Sequence, residues 1–379
     1  MRVFMDYRPA LREPSGAGEY THQLARALVA AAAAGENGDH LRLTLFSSSW
    51  KDRFVERPEL AGATIIDRRV PVKVLNFAWH RLEWPAAETL ARAQFDVTHS
   101  SHPLLLPARD AAQVVTIHDL NFLAHPERTR AEIRRDYPAL VRSHAQRADR
   151  VVVPSSFTAG EVQRLLEVPP DRISVCAPGA PAWEPRSPDG PVGTYVLFLG
   201  TLEPRKNIDA LLDAYEQLSL RRHLPPLLLA GRATDAARGW LDRLERPPLQ
   251  GLVRHTGYVE PSRRRDLYAG ALLLVQPSFE EGFGLPVLEA MTVGVPVVAA
   301  NRGALPEVLG GTGLLVEPNA PQQIADAIER VLDDHRLAAE MAARGIERAR
   351  SFTWTGAAHH MLEAYRRAVL SRGSRHETA

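Results

Sequence analysis

The run LLLVQPSFEEGFGLPVLEAMTVGVPVVAAN, Leu272 to Asn301, decides the fold class. LLLVQPS is a short apolar run closed by a proline, which reads as a buried strand. Two carboxylates follow, Glu281 and Glu289, with Gly282, Gly284 and Pro286 between them. One helix cannot carry both acids. Glycine disfavours a helix interior, and proline has no N–H to donate except in a first turn. Glu281 is therefore expected in a loop. Pro286 opens a helix that carries Glu289 and stops near Gly294, after which VPVVAAN forms a second strand. A strand, a helix and a strand in that order form a parallel crossover unit.

The same alternation runs through the whole chain. RVFMD, LRLTLFS, FDVTHSS, QVVTIHD and RVVVPSS read as strands in the first half. TYVLFLG, LPPLLLAG, LVRHTGY, LLLVQPS and VPVVAAN do so in the second, with helical patterns such as GEYTHQLARALVAAAA and NIDALLDAYEQL between strands. The expectation is an α/β protein of two Rossmann-like, doubly wound parallel-sheet domains. The proline- and glycine-dense segment Ala177 to Gly193 marks the linker. The domains are placed at 1–180 and 181–355, and a helix over 356–379, with no strand after it, is expected to pack back on the first domain.

Composition narrows the function. The chain of 379 residues is 45% apolar and 24% charged, a soluble globular profile with material for two cores. A net charge of +1 gives no electrostatic reason to expect a nucleic-acid partner. Cys176 is the only cysteine, so neither an intrachain disulfide nor a cysteine metal cluster is available. The N-terminal MRVFMDYRPALREPSG meets charges and a proline before any long apolar core, and no window approaches a membrane span. Together these suit a cytoplasmic protein, with peripheral membrane attachment as an alternative. Lys51, Lys73 and Lys206 are the only lysines among 46 basic residues, so a lysine kept at a special position stands out.

In parallel sheets, ligands bind beyond the carboxyl ends of the strands. Four such places carry chemistry. Around Glu281 and Glu289, glycines let backbone N–H groups approach a ligand, and the helix start adds partial positive charge suited to phosphate. In GTLEPRKN, Gly200 to Asn207, the pair Arg205 and Lys206 stands at a helix start where the dipole disfavours cations, unless an anion binds there. In VVTIHDL, His118 suits hydrogen bonding or proton transfer, with Asp119 fixing its tautomer. In EPSGAGEY, Gly16, Ala17 and Gly18 open a helix and suit a phosphate or an acceptor. The plain alternatives are a solvated acid, a surface basic pair and a structural histidine.

A dinucleotide fingerprint, Gly16-x-Gly18-x-x-Thr21 with Asp39, fits poorly because the glycines come ten residues after the strand. No D-x-D pair is present to hold a metal on a diphosphate, so the phosphate charge falls to Arg205 and Lys206 and no metal cofactor is expected. His125 to Arg150 holds seven arginines, and FAWHRLEW adds Phe77, Trp79 and Trp84. That combination suits anionic lipid headgroups, although charge-rich helices are usually only solvated.

EEGFGLPVLEA, GTLEPRKN, TIHDL, SGAGEY, NRGALPEV and GTGLLVEP, in this order of domains and spanning Gly16 to Glu317, resemble the retaining glycosyltransferases of family four. The resemblance implies the GT-B fold, two domains facing a cleft, with a nucleotide sugar as co-substrate. It implies that Glu281 contacts donor-sugar hydroxyls, Glu289 the ribose, and Arg205 and Lys206 the diphosphate. By the same resemblance, the backbone of Phe283, Gly284 and Leu285 lies by the phosphates and Gly257 and Tyr258 by the nucleobase. His118 would line the sugar and acceptor site, and the Gly16–Gly18 loop would face the cleft. Thr201 departs from the pattern, since many members carry arginine after the glycine equivalent to Gly200. GTLEPRKN is similar to mannosyltransferases of surface-polysaccharide assembly, which makes GDP-mannose the first choice of donor and a glycan, lipid-linked or small-molecule hydroxyl the acceptor. A sugar-nucleotide epimerase of this fold and a non-catalytic sugar-binding protein are the rivals. A pyridoxal-dependent phosphorylase is disfavoured, because no lysine follows Lys206.

Overall fold

The computed structural model describes residues 1–11, 16–35, 40–124, 131–187 and 193–377. The chain divides into two compact units, Met1–Gly179 with Thr353–Ala379, and Ala180–Phe352. The second unit thus begins within the proline- and glycine-dense segment, and the tail helix starts at Trp354.

The first unit is built on seven parallel strands: β1 (Arg2–Asp6), β2 (Arg42–Ser48), β3 (Thr64–Arg68), β4 (Val97–Ser100), β5 (Ala112–Thr116), β6 (Arg150–Val153) and β7 (Ile173–Val175). Their order is β3-β2-β1-β4-β5-β6-β7. The interior strands are buried along nearly their whole length, as a sheet covered on both faces requires, although β4 reads Val-Thr-His-Ser. The helix Ala17–Ala34 lays Leu24 and Leu28 into a core shared with Met361 and Tyr365 of the helix Trp354–Glu377. That long closing helix packs on Ala17–Ala34 and crosses β5 and β6, which completes the cover of this unit.

The second unit has six parallel strands: β8 (Tyr195–Leu199), β9 (Leu227–Ala230), β10 (Val253–Gly257), β11 (Ala271–Gln276), β12 (Val297–Ala300) and β13 (Leu314–Val316), ordered β10-β9-β8-β11-β12-β13. Val196, Phe198, Leu211, Tyr215, Leu229 and Val275 are fully buried at its centre. Both sheets are doubly wound, and their strand order reverses between β1 and β4 and between β8 and β11. Those two points are where the loops part and leave room for a ligand.

Three strands were not anticipated: β3, β7 and β13. Each lies at an edge of its sheet and is partly exposed, so its apolar signal is weak. The segment Leu272 to Asn301 folds as expected into β11, a loop, the helix Leu285–Val293 and β12. Pro286 sits in the helix's first turn, and Gly294 caps its end at φ +80°.

Candidate active site

Arg205 and Lys206 lie on a short 3-10 turn, Pro204–Lys206, between β8 and the helix Ile208–Ser219. Glu281 lies in the loop after β11, so the three meet at the switch point of the second sheet. Lys206 Nζ is 2.5 Å from Glu281 Oε1, and Arg205 Nη1 is 3.2 Å from Glu281 Oε2. Ser278 Oγ at 2.8 Å and Gln276 Nε2 at 3.0 Å also donate to Glu281 Oε1. Arg205 is steered from its other side by Glu203. Burial alone would raise the Glu281 carboxyl. The charges of Lys206 and Arg205, with hydrogen bonds from Lys206 and Ser278, overcome that and hold it at about 2. Burial draws the Lys206 ammonium below its ordinary range, opposed by Glu281.

The Glu281 loop is set from behind by Gly303, whose φ is +63°. A Cβ there would lie 2.7 Å from both the backbone N and O of Glu281. Ala304 N–H donates to Glu281 O at 2.9 Å. NRGALPEV thus matters for where it places the glutamate.

The helix Leu285–Val293 starts at Gly284, in the left-handed region at φ +103°, with no side chain capping its first N–H groups. Phe283 is buried edge-on to Phe352, and the loop ahead of this helix start is therefore anchored. Glu289, one turn in, is also buried. Tyr268 Oη donates to its Oε2 at 2.8 Å, and Arg264 Nη1 reaches its Oε1 at 3.3 Å. These contacts fix the orientation of the Glu289 carboxylate.

Three turns beyond β8, β9 and β10 are joined backbone to backbone. Gly231 N–H donates to Gly257 O at 2.8 Å and Gly200 N–H to Ala230 O at 2.9 Å, while His255 Nε2 donates to Gly231 O at 2.8 Å. Thr201 is exposed and Tyr258 half-buried.

In the first unit, Gly16 caps the helix Ala17–Ala34 at φ +55°, and a Cβ on Gly18 would lie 2.6 Å from Pro9 O. Tyr20 of that helix meets the His118 ring edge-on, centroids 5.0 Å apart, so the glycine loop and His118 are neighbours. The expectation for Asp119 is corrected. His118 Nε2–H donates to Ser101 O at 3.2 Å, and that carbonyl fixes the tautomer, whereas Asp119 accepts from Asn121 N–H. Burial moves the His118 pKa below 6.5, against the pull of Asp119, so the ring is neutral at pH 7.

Sequence reading missed the cluster beside it, at the first sheet's switch point. Asp6, at the end of β1, accepts Nε and Nη2 of Arg8 at 2.8 and 2.7 Å, and Arg8 Nη1 donates to Asn76 at 2.8 Å. Ser101 Oγ donates to Asp6 O at 2.9 Å, which ties this pair to His118. The D-x-R spacing directly after a strand was the available signal.

Trp79 is corrected too. It is buried beneath Arg8, whose Cζ lies 4.5 Å from the ring centroid, and does not belong to a surface patch. Phe77 and Trp84 are 61% and 65% exposed. Arg142 and Arg147 pair with Glu167 and Glu83, and Arg150 donates to Asp171 O. Arg128 and Arg130, like Asp39 of the dinucleotide reading, lie outside the described residues. No helix among the described residues is long and apolar enough to cross a membrane.

Two doubly wound parallel sheets with converging charges at a switch point define a GT-B glycosyltransferase, and comparison with known proteins agrees. The sucrose-phosphate synthase of Thermosynechococcus elongatus superposes with a TM-score of 0.77 at 22% identity, over 97% of this chain and 98% of that one. An Anabaena protein solved with UDP and glucose gives 0.68 at 18% identity, over 96% and 98%. Residues 14–182 match the model described as Glycosyltransferase Family 4, and residues 193–334 match Glycosyl transferases group 1. The O-antigen chain mannosyltransferase B of Escherichia coli is 34% identical over 317 residues, 79% of this chain and 81% of that one. The chain belongs to glycosyltransferase family 4.

Proposed function

We propose that this enzyme moves a hexose, mannose from GDP-mannose as first choice, to a hydroxyl of a glycan or lipid-linked acceptor in surface-polysaccharide or glycolipid synthesis. The observation that carries this is the Arg205, Lys206 and Glu281 cluster beside the uncapped helix start at Gly284. Two cations held by one carboxylate form a site a diphosphate can take over. The phosphates replace Glu281 on Lys206 and Arg205, and the released carboxylate accepts from donor-sugar hydroxyls. Glu289, oriented by Tyr268 and Arg264, accepts from the ribose. The mannosyltransferase name of the Escherichia coli relative supports the sugar, and the UDP complex of the Anabaena protein supports a nucleotide donor.

In the reaction, the bond from the anomeric carbon to the β-phosphate oxygen breaks and a bond to the acceptor oxygen forms on the same face. The acceptor proton passes to the leaving phosphate. Lys206, Arg205 and the N–H groups of the 283–285 turn stabilise the charge that grows there. His118, neutral and with Nε2–H committed to Ser101, offers Nδ1 to a sugar hydroxyl.

Purified enzyme with GDP-mannose and a glycan or lipid-linked acceptor should yield an α-linked product by NMR, undiminished in EDTA, because the phosphate charge is met by side chains. His118→Gln should lower turnover while leaving GDP binding intact. Donor conversion without any acceptor would favour the epimerase, and loss of activity in EDTA would overturn the metal-free mechanism.

A peripheral membrane contact belongs to the same reading. Val74, Phe77, Leu82 and Trp84 are each more than half exposed within a stretch that also exposes Lys73 and Arg81. Flotation with phosphatidylglycerol vesicles should carry the wild type and not Phe77→Ser/Trp84→Ser. A wild type that stays at the bottom of the gradient would remove the membrane from the proposal.

A further inference from the structure

Beside Glu281, the end of β11 and the loop after it carry two polar side chains with no exposure to solvent, Gln276 and Ser278. Gln276 Nε2 donates to Ser278 Oγ and to Glu281 Oε1, both at 3.0 Å, and Ser278 Oγ donates to the same carboxylate oxygen at 2.8 Å. The direction of each proton is settled by charge. An ionised carboxylate only accepts, so the amide turns its N–H groups toward it, and the hydroxyl, already accepting from the amide, directs its one proton at Glu281. The other end of the amide, Gln276 Oε1, is buried with no hydrogen-bond partner among the described residues. An interior parallel strand ordinarily takes an apolar side chain here, and an unsatisfied buried oxygen costs stability. Gln276 therefore weakens the fold at one end in order to place donors on Glu281 at the other.

The same loop is pinned to the turn that carries the cations. Phe279 N–H donates to Arg205 O at 2.8 Å, and Asn207 Nδ2 donates to Pro277 O at 3.1 Å. The charged side chains that meet the Glu281 carboxylate are Lys206 and Arg205, the latter also held by Glu203. Glu281 thus has two kinds of partner: cations that a diphosphate can draw away, and neutral donors that it cannot.

We infer that Gln276 and Ser278 are positioning residues that hold Glu281 ionised and in place once the donor's phosphates have taken Lys206 and Arg205. The inference rests on the diphosphate site proposed above. A buried carboxylate whose cations are engaged elsewhere takes up a proton or turns away unless other donors hold it. Two neutral donors on Oε1 fix that oxygen, which leaves Oε2 to accept from a sugar hydroxyl. Binding the phosphates and presenting the carboxylate are thereby assigned to different side chains.

The test compares wild type with Gln276→Met, Ser278→Ala and the double variant, methionine being close to glutamine in volume and without N–H donors. Melting midpoints serve as the fold control. Protein labelled with ¹³C at the glutamate carboxyl is titrated with pH in saturating inorganic pyrophosphate, and the Glu281 resonance is identified by its absence from Glu281→Gln. Pyrophosphate should shift that resonance in wild type and leave the carboxylate titrating no higher than an ordinary glutamate. In the double variant its titration should move up by about one pH unit or more, with each single variant moving it less, since one donor group remains. With GDP-mannose, kcat of the double variant should fall by about tenfold to a hundredfold, while the GDP dissociation constant changes by less than about threefold. The acid limb of the kcat profile should move to higher pH, because losing donors favours the protonated carboxyl. A lower melting midpoint with the titration and the acid limb unmoved would make the pair merely structural and overturn the inference alone. Pyrophosphate that leaves the wild-type Glu281 resonance undisturbed would remove the diphosphate site itself, and the inference with it.

Discussion

Lys206→Ala is expected to cut kcat/KM for the donor by about 10²–10³-fold, the usual cost of removing one preorganised donor from a developing anion. It should also destabilise the protein, by about 3 kcal/mol, because Glu281 is left buried with one cation in place of two. Denaturant midpoints and steady-state rates separate the two effects. The double variant Lys206→Met/Glu281→Gln removes both charges and should regain stability without regaining turnover. Unchanged turnover of Lys206→Ala at subsaturating donor would sink the assigned role. The pair also sets a pH dependence. The Glu281 carboxyl is held at about 2 in the fold against an ordinary value of 4.5. Its contribution to stability is therefore present above about 4.5 and is lost as pH falls toward 2. Glu281→Gln should remove that acid dependence, which unfolding measured along a pH series would show.

Gly231→Ala should be the most damaging single methyl in the second unit. Gly231 has φ +136°, a conformation side chains rarely adopt, and the new Cβ would meet a backbone oxygen that cannot rotate away. The expected loss is about 3 kcal/mol or more, combining overpacking with backbone strain. The displaced groups are the backbone of Gly200 and Thr201, at the start of the loop that carries Arg205 and Lys206, so nucleotide affinity should fall in whatever fraction remains folded. Urea denaturation and GDP titration are the measurements. A variant as stable as wild type would mean that the close approach of these turns is not needed.

Both predictions concern contacts that the chain order does not reveal. The strand at Leu272, the helix opened by Pro286 and the stop at Gly294 were legible because each depends on neighbours within a few residues. Proline and glycine act through their own backbones, and a buried strand needs only its own apolar run. The edge strands β3, β7 and β13 were not legible, since a half-exposed strand is recruited by the sheet beside it. Trp79 was read as a surface aromatic because its cover, Arg8, lies far away along the chain. His118 stands beside Asp119 in sequence, but its Nε2–H is met by the carbonyl of Ser101, from a separate loop.

The sequence by itself determined two parallel α/β units, the separation of Glu281 from Glu289 onto a loop and a helix, and the presence of Arg205 and Lys206 beyond a strand. Those are consequences of local periodicity and backbone chemistry. Only the tertiary structure decided that Glu281 is held by Lys206, Arg205, Ser278 and Gln276, that Glu289 is oriented by Tyr268 and Arg264, and that Arg232 rests on Tyr258. Strand order brings these residues together. β8 and β11 are neighbours in the sheet although β9 and β10 lie between them in sequence, and a parallel sheet gathers the loops of all four at one edge.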